Sequence, residues 1–103
     1  MKGSLRPRRK KRIDHREACH VHTMRNAWDR LGLTLTRQDI EDIIAMVQSN
    51  QCEFLGRENS TRTAWRLEFR GRTVKVVYDS KLNALRTIMR DDMVTRAERK
   101  QAA

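Results

Sequence analysis

Residues 63–79 read TAWRLEFRGRTVKVVYD. Trp65, Leu67 and Phe69 alternate with Arg66, Glu68 and Arg70, which puts side chains of opposite character on opposite faces of an extended strand. After Arg70-Gly71, a dipeptide suited to a tight hairpin, Val74, Val76 and Tyr78 repeat the alternation with Thr73, Lys75 and Val77 opposite. Strands joined so closely pair antiparallel. This stretch decides the fold class, because the chain ahead of it follows a different period.

Upstream, the apolar residues recur at helical spacing. Ala18, Val21, Met24, Trp28 and Leu31 form one stripe at about 100° per residue, which predicts a first helix from Ile13 or Asp14 to Gly32. Thr36 with Asp39 three residues on predicts a capped second helix, whose stripe is Ile40, Ile43, Ile44 and Val47. Cys52 and Phe54 open a short strand, GRENSTR is a loop, residues 79–83 are a second turn, and ALRTIM is the last strand. The tail MVTRAERKQAA is polar and helix-prone, and fraying is expected there. The expected fold is α+β, with two N-terminal helices packed on one face of a four-stranded antiparallel sheet. The other face then carries Arg66, Arg70, Lys75 and Arg86, as a phosphate-binding surface or as an ordinary solvated face.

The charge is unevenly distributed. Of the 103 residues, 38% are apolar and 35% charged, with a net charge of +10. Residues 1–12, MKGSLRPRRKKR, hold seven basic residues and no acid, whereas the other 91 carry 16 basic and 13 acidic ones. Arg6, Arg8, Arg9, Lys10, Lys11 and Arg12 therefore read as a disordered arm that contacts nucleic-acid phosphates, or as a solubilising leader. The domain is expected over residues 13–90 and the tail over 91–103. No apolar run predicts a membrane span, and no apolar segment after the arm predicts a signal peptide. Cys19 and Cys52 make no disulfide framework and fit a reducing, cytoplasmic setting.

The segment HREACHVHTMRNAWDR, residues 15–30, holds all three histidines. His15, Cys19 and His22 share one helical side, and Cys52 is the remaining thiol. The familiar zinc spacings need ligand pairs on separate elements, so no metal and no cofactor is expected. His20 and His22 flank the apolar stripe, while Cys19 and Asn26 are expected to face solvent. Metal-free RNA cleavage needs an acid or base, cations for the phosphorane charge and hydroxyl donors, because the 2′-OH supplies the nucleophile. His22, Arg25, Arg66, Lys75, Tyr78 and Thr87 are residues of those types.

The series His22…Arg30-Leu31-Gly32-Leu33, TRQDIEDIIAMV, FRGRTVKVVYD and ALRTIM resembles the small phage- and toxin-associated proteins of the barnase/EndoU/colicin/RelE-like nuclease fold, over about residues 20–90. The resemblance matches His22 to the helix histidine, Arg30 to the arginine before the glycine, Tyr78 and Asp79 to the third-strand end, and Thr87 to the last-strand hydroxyl. It implies an RNA-binding protein with metal-independent endoribonuclease activity, in the cytoplasm of a bacterial host if phage-encoded. Together with the residue types above, the expected catalytic set is His22, Arg66, Tyr78 and Thr87. Arg25, Arg70 and Lys75 bind nucleic acid beside the arm, and an antitoxin is an implied partner. Relatives often carry Arg where this chain has Asn26. That departure suits the alternative, a non-enzymatic phage or host-takeover module that uses its basic arm on nucleic acid or on an acidic protein.

Overall fold

A computed structural model describes residues 14–102. The basic arm expected at residues 1–12 lies outside the described residues. The elements run α1 (His15–Leu31), α2 (Arg37–Gln48), β1 (Glu53–Arg57), β2 (Arg62–Phe69), β3 (Arg72–Asp79), β4 (Ala84–Arg90) and α3 (Arg96–Ala102). The four strands form one antiparallel meander in the order β1-β2-β3-β4. The protein is α+β, and among the described residues no helix is long and apolar enough to cross a membrane.

Local chemistry sets the helix ends. The Asp14 carboxylate accepts from the Arg16 amide at 3.0 Å and opens α1. Gly32, at φ 65, closes it, and the Leu33 amide bonds back to Ala27 O at 3.1 Å. α2 starts with a reciprocal box: Thr36 Oγ1 accepts from the Asp39 amide at 3.0 Å, and Asp39 Oδ2 accepts from the Thr36 amide at 2.9 Å. That amide bond, with Arg70 beside it, holds the Asp39 carboxyl below its usual range.

The principal core joins Ala27 and Leu31 of α1, Ile40, Ile43, Ile44 and Val47 of α2, and Leu67, Val74, Val76, Leu85 and Ile88 of the sheet. Trp65, Phe69 and Tyr78 are partly buried against it. The α2 stripe and the alternation in β2 and β3 therefore identify inward residues correctly.

The α1 stripe needs correction. Trp28 is 63% exposed and Val21 41% exposed, whereas Cys19, His20, Thr23 and Asn26 are buried. The cause is the strand edge beside the helix. β4 ends the sheet, and its outer carbonyls need donors. Thr23 Oγ1 donates to Leu85 O at 2.8 Å and Arg30 Nη1 to Ile88 O at 3.1 Å, and in the turn just ahead of the strand Arg16 Nε donates to Asn83 O at 2.7 Å. The helix turns polar side chains toward the strand, so its buried side is not its most apolar side.

The second sheet face also differs from expectation. α3 lies against it, with Ala97 in a small cluster with Leu55 and Ala64. Lys75, expected on a solvated face, is only 3% exposed. Its ammonium donates to Glu98 Oε1 and Oε2 at 2.9 and 3.0 Å and to Met93 O at 2.8 Å. Thr95 and Glu98 form a reciprocal box at the start of α3, amide to carboxylate at 2.9 Å and amide to hydroxyl at 3.1 Å. Burial raises the Glu98 pKa, but the Thr95 amide and the Lys75 ammonium outweigh it and hold the carboxyl at about 2. Gly56 permits the close approach. It sits at the β1 bulge with φ 136, and a Cβ there would collide with the Gln101 amide and crowd Ala97.

Candidate nucleic-acid interface

A cleft of about 400 Å³ opens where α1, the β3–β4 end of the sheet and α3 meet. Among the described residues, five arginines line it, Arg30, Arg62, Arg86, Arg96 and Arg99, against one acid, Glu58. His22 and Thr87 also line it. Val77, Met89, Met93 and Val94 make the apolar part, and no described Phe, Tyr or Trp side chain contributes.

Four elements place the five arginines. β3 and β4 pair Val77 with Thr87 but Tyr78 with Leu85, so Arg86 is an extra residue in the strand. Such a bulge re-aims a side chain, and here Arg86 and Thr87 both reach the cleft. Arg62 comes from the start of β2, beside Asp79 in the register. Arg30 comes from the last turn of α1, and Arg96 and Arg99 from α3.

Asp79 lies beside Arg62 and Arg86. Its carboxylate side chain is only 6% exposed. Oδ1 accepts from the Lys81 and Leu82 amides at 2.9 and 3.2 Å, which fixes the carboxylate on the β3–β4 turn. Oδ2 faces Arg62 Nε at 3.7 Å and Arg86 Nη1 at 3.9 Å, close enough to attract but too far to hydrogen-bond. Arg62 Nε is buried without a hydrogen-bond partner among the described residues.

Thr87 is equally constrained. Its hydroxyl oxygen accepts from Asn26 Nδ2 at 2.6 Å and from Arg30 Nη1 at 3.1 Å. With both lone pairs taken, the hydroxyl has only its proton to offer, which suits an acceptor such as a phosphate oxygen. Asn26, expected to face solvent, is buried because it makes this bond.

A second cavity, which shares His22 and Arg86 with the first, is lined by His15, Ala18, Cys19, His22 and Arg86. Arg86 Nη1 donates to Cys19 Sγ at 3.2 Å, which explains why Cys19 is turned inward and not toward solvent as expected. Among the described residues, no three His, Cys, Asp or Glu side chains are grouped to hold a metal ion. Cys19 and Cys52 are both free thiols, and burial pushes the Cys52 thiol up. His20 is packed away from the cleft and is 2% exposed, with Nε2 unpartnered among the described residues. Burial, then the neighbouring Arg16 charge, lowers its pKa below the usual imidazole value.

The structure brings together only part of the expected set. His22 and Thr87 both line the cleft. Tyr78 belongs to the opposite sheet face, where its hydroxyl bonds Asn83 Oδ1 at 2.7 Å and Gln48 Nε2 at 3.1 Å. Arg66 is engaged by Asp91 at 2.7 Å and Glu53 at 2.9 Å. Arg70 holds Asp39 at 2.7 Å and Thr34 O at 3.1 Å at the start of α2. Lys75 is covered by α3, and Arg25 is exposed on α1 outside the cleft lining. Arg6, Arg8, Arg9, Lys10, Lys11 and Arg12 lie outside the described residues. Arg62, Arg96 and Arg99 join the site without being expected there. For the last two a signal exists in Thr95-Arg96-Ala97-Glu98, a capping sequence that marks a real helix start. No known protein family, no curated protein and no solved structure matches this chain.

Proposed function

We propose that this chain is an RNA-binding protein whose arginine-lined cleft takes RNA phosphates. The observation that carries the reading is the convergence of five arginines from α1, β2, β4 and α3 on one concave surface, with a single acid among the described residues of its lining. Guanidinium forks match phosphate oxygens in planar, two-bond geometry. A concave, cationic wall suits a flexible strand better than a flat protein surface, and the basic residues 1–12 add charge for the same partner. Two free cysteines fit work in a reducing compartment such as a cytoplasm.

The test is fluorescence anisotropy of a labelled single-stranded RNA against salt concentration. Replacing both Arg86 and Arg99 by Ala should weaken binding and flatten the salt slope by about 0.7 for each phosphate that is no longer neutralised. An unchanged slope would reject the cleft as the site.

A second reading is metal-independent cleavage of the bound RNA, favoured by His22 and Thr87 sharing the cleft. His22 would move the proton, and Thr87 and the arginines would hold the phosphate. Incubation with total RNA in EDTA decides it: His22→Ala should reduce any cleavage by about 100-fold or more. No cleavage by the parent protein leaves binding alone.

A further inference from the structure

We propose that the cleft recognises a 5′-polyphosphate, either the triphosphorylated end of an RNA or a free nucleoside triphosphate. The proposal rests on the cleft being the nucleic-acid site. Internal backbone carries one negative charge per nucleotide, whereas five arginines are concentrated around about 400 Å³. Glu58 in the lining and Asp79, buried beside two of the arginines without closing a hydrogen bond to either, offset part of that charge. The remaining cation density exceeds what a short run of phosphodiesters supplies in so small a volume. A terminal polyphosphate concentrates several charges on adjacent phosphorus atoms and matches it.

The lining agrees with this ligand. No described Phe, Tyr or Trp side chain faces the cleft, so stacking on bases, the usual grip on internal single-stranded RNA, is not offered by those residues. Arg62 presents a guanidinium whose Nε has no partner among the described residues. An anion on its outer nitrogens would make charge-assisted bonds that the Asp79 contact at 3.7 Å does not make. The Thr87 hydroxyl has only a proton to give. Asp79 touches no ligand in this scheme. It is a positioning residue, tied to the turn amides and setting the separation of Arg62 and Arg86.

The experiment compares two labelled RNAs of one sequence, one with a 5′-triphosphate and one with a 5′-hydroxyl, by anisotropy in EDTA. The triphosphate form should bind at least about tenfold tighter. Arg62→Ala and Arg86→Ala should each erase that preference. Asp79→Asn should narrow it while leaving 5′-hydroxyl binding in place, which a merely structural defect would not do; circular dichroism melts confirm that each variant is folded. Competition separates the two sources. If free nucleoside triphosphates and inorganic triphosphate displace the triphosphate RNA at its own concentration range, the free nucleotide is the ligand. If they do not, the RNA end is. Equal binding of the two RNAs, with Arg86→Ala weakening both, overturns the polyphosphate proposal and leaves the cleft as an RNA site. Equal binding with Arg86→Ala weakening neither overturns both.

Discussion

Replacing Glu98 by Gln removes the carboxylate that holds Lys75 beneath α3. The Lys75 side chain is 4% exposed and the Glu98 side chain 24% exposed, so the ammonium left behind is almost fully desolvated. Glu98 titrates at about 2 against an ordinary value of 4.5. That difference corresponds to about 3 kcal/mol, and breaking one side of a buried pair costs about 3–5 kcal/mol. Partial exposure of Glu98 places the expected loss near 2–3 kcal/mol, a large part of the stability of a domain this size. Because the folded value is depressed, this stabilisation is fully present above pH 4.5 and is lost as pH falls toward about 2. Urea melts of the parent and of Glu98→Gln at pH 7 and pH 3 measure it: the gap should be largest at pH 7 and shrink at pH 3. The same variant should weaken RNA binding, since α3 carries Arg96 and Arg99 into the cleft. Equal urea midpoints at pH 7 would refute the pair as the anchor of α3.

Gly56→Ala should lower stability by about 1–3 kcal/mol in a thermal melt, through φ 136 and the clash with Gln101. Because burial, then the Arg16 charge, lowers the His20 pKa, the folded chain takes up this proton at a lower pH than the unfolded chain, which binds it near pH 6.5. Stability should therefore be full above that pH and fall as pH drops below it, and His20→Leu should flatten this part of the profile. Ile43→Ala, at a fully buried position, should cost about 2–5 kcal/mol by urea melt. Trp28→Ser, at a side chain 63% exposed, should stay within about 0.5 kcal/mol of the parent.

The parts of the fold that are legible in the sequence are those where burial follows hydrophobicity. Ile40, Ile43, Ile44 and Val47 are buried by period alone, and Leu67, Val74 and Val76 by alternation. α1 is misread at Trp28, Cys19 and Asn26 because it lies along β4, where Thr23 and Arg30 serve strand carbonyls, Asn26 the Thr87 hydroxyl and Cys19 the Arg86 guanidinium, and no apolar pattern encodes those bonds. Lys75 is misread because alternation assigns a face but not what covers it. The site suffers similarly. His22 and Thr87 are recognisable by residue type, yet Arg86 reaches the cleft through a bulge and Arg62 through the buried carboxylate of Asp79. Both are products of register and turn geometry, which sequence spacing does not display.

The most direct test sets one arginine of the cleft against one outside it. Arg86→Ala and Arg66→Ala remove the same charge from the same molecule, but Arg66 is taken up by Asp91 and Glu53 whereas Arg86 lines the cleft. Measured by anisotropy with one labelled single-stranded RNA at one salt concentration, Arg86→Ala should weaken binding about tenfold or more, as expected when a charge-assisted bond to phosphate is removed. Arg66→Ala should change it by no more than about twofold, the screened effect of an exposed charge. Equal losses in the two variants would mean that RNA responds to net charge alone, and would contradict a binding site in the cleft.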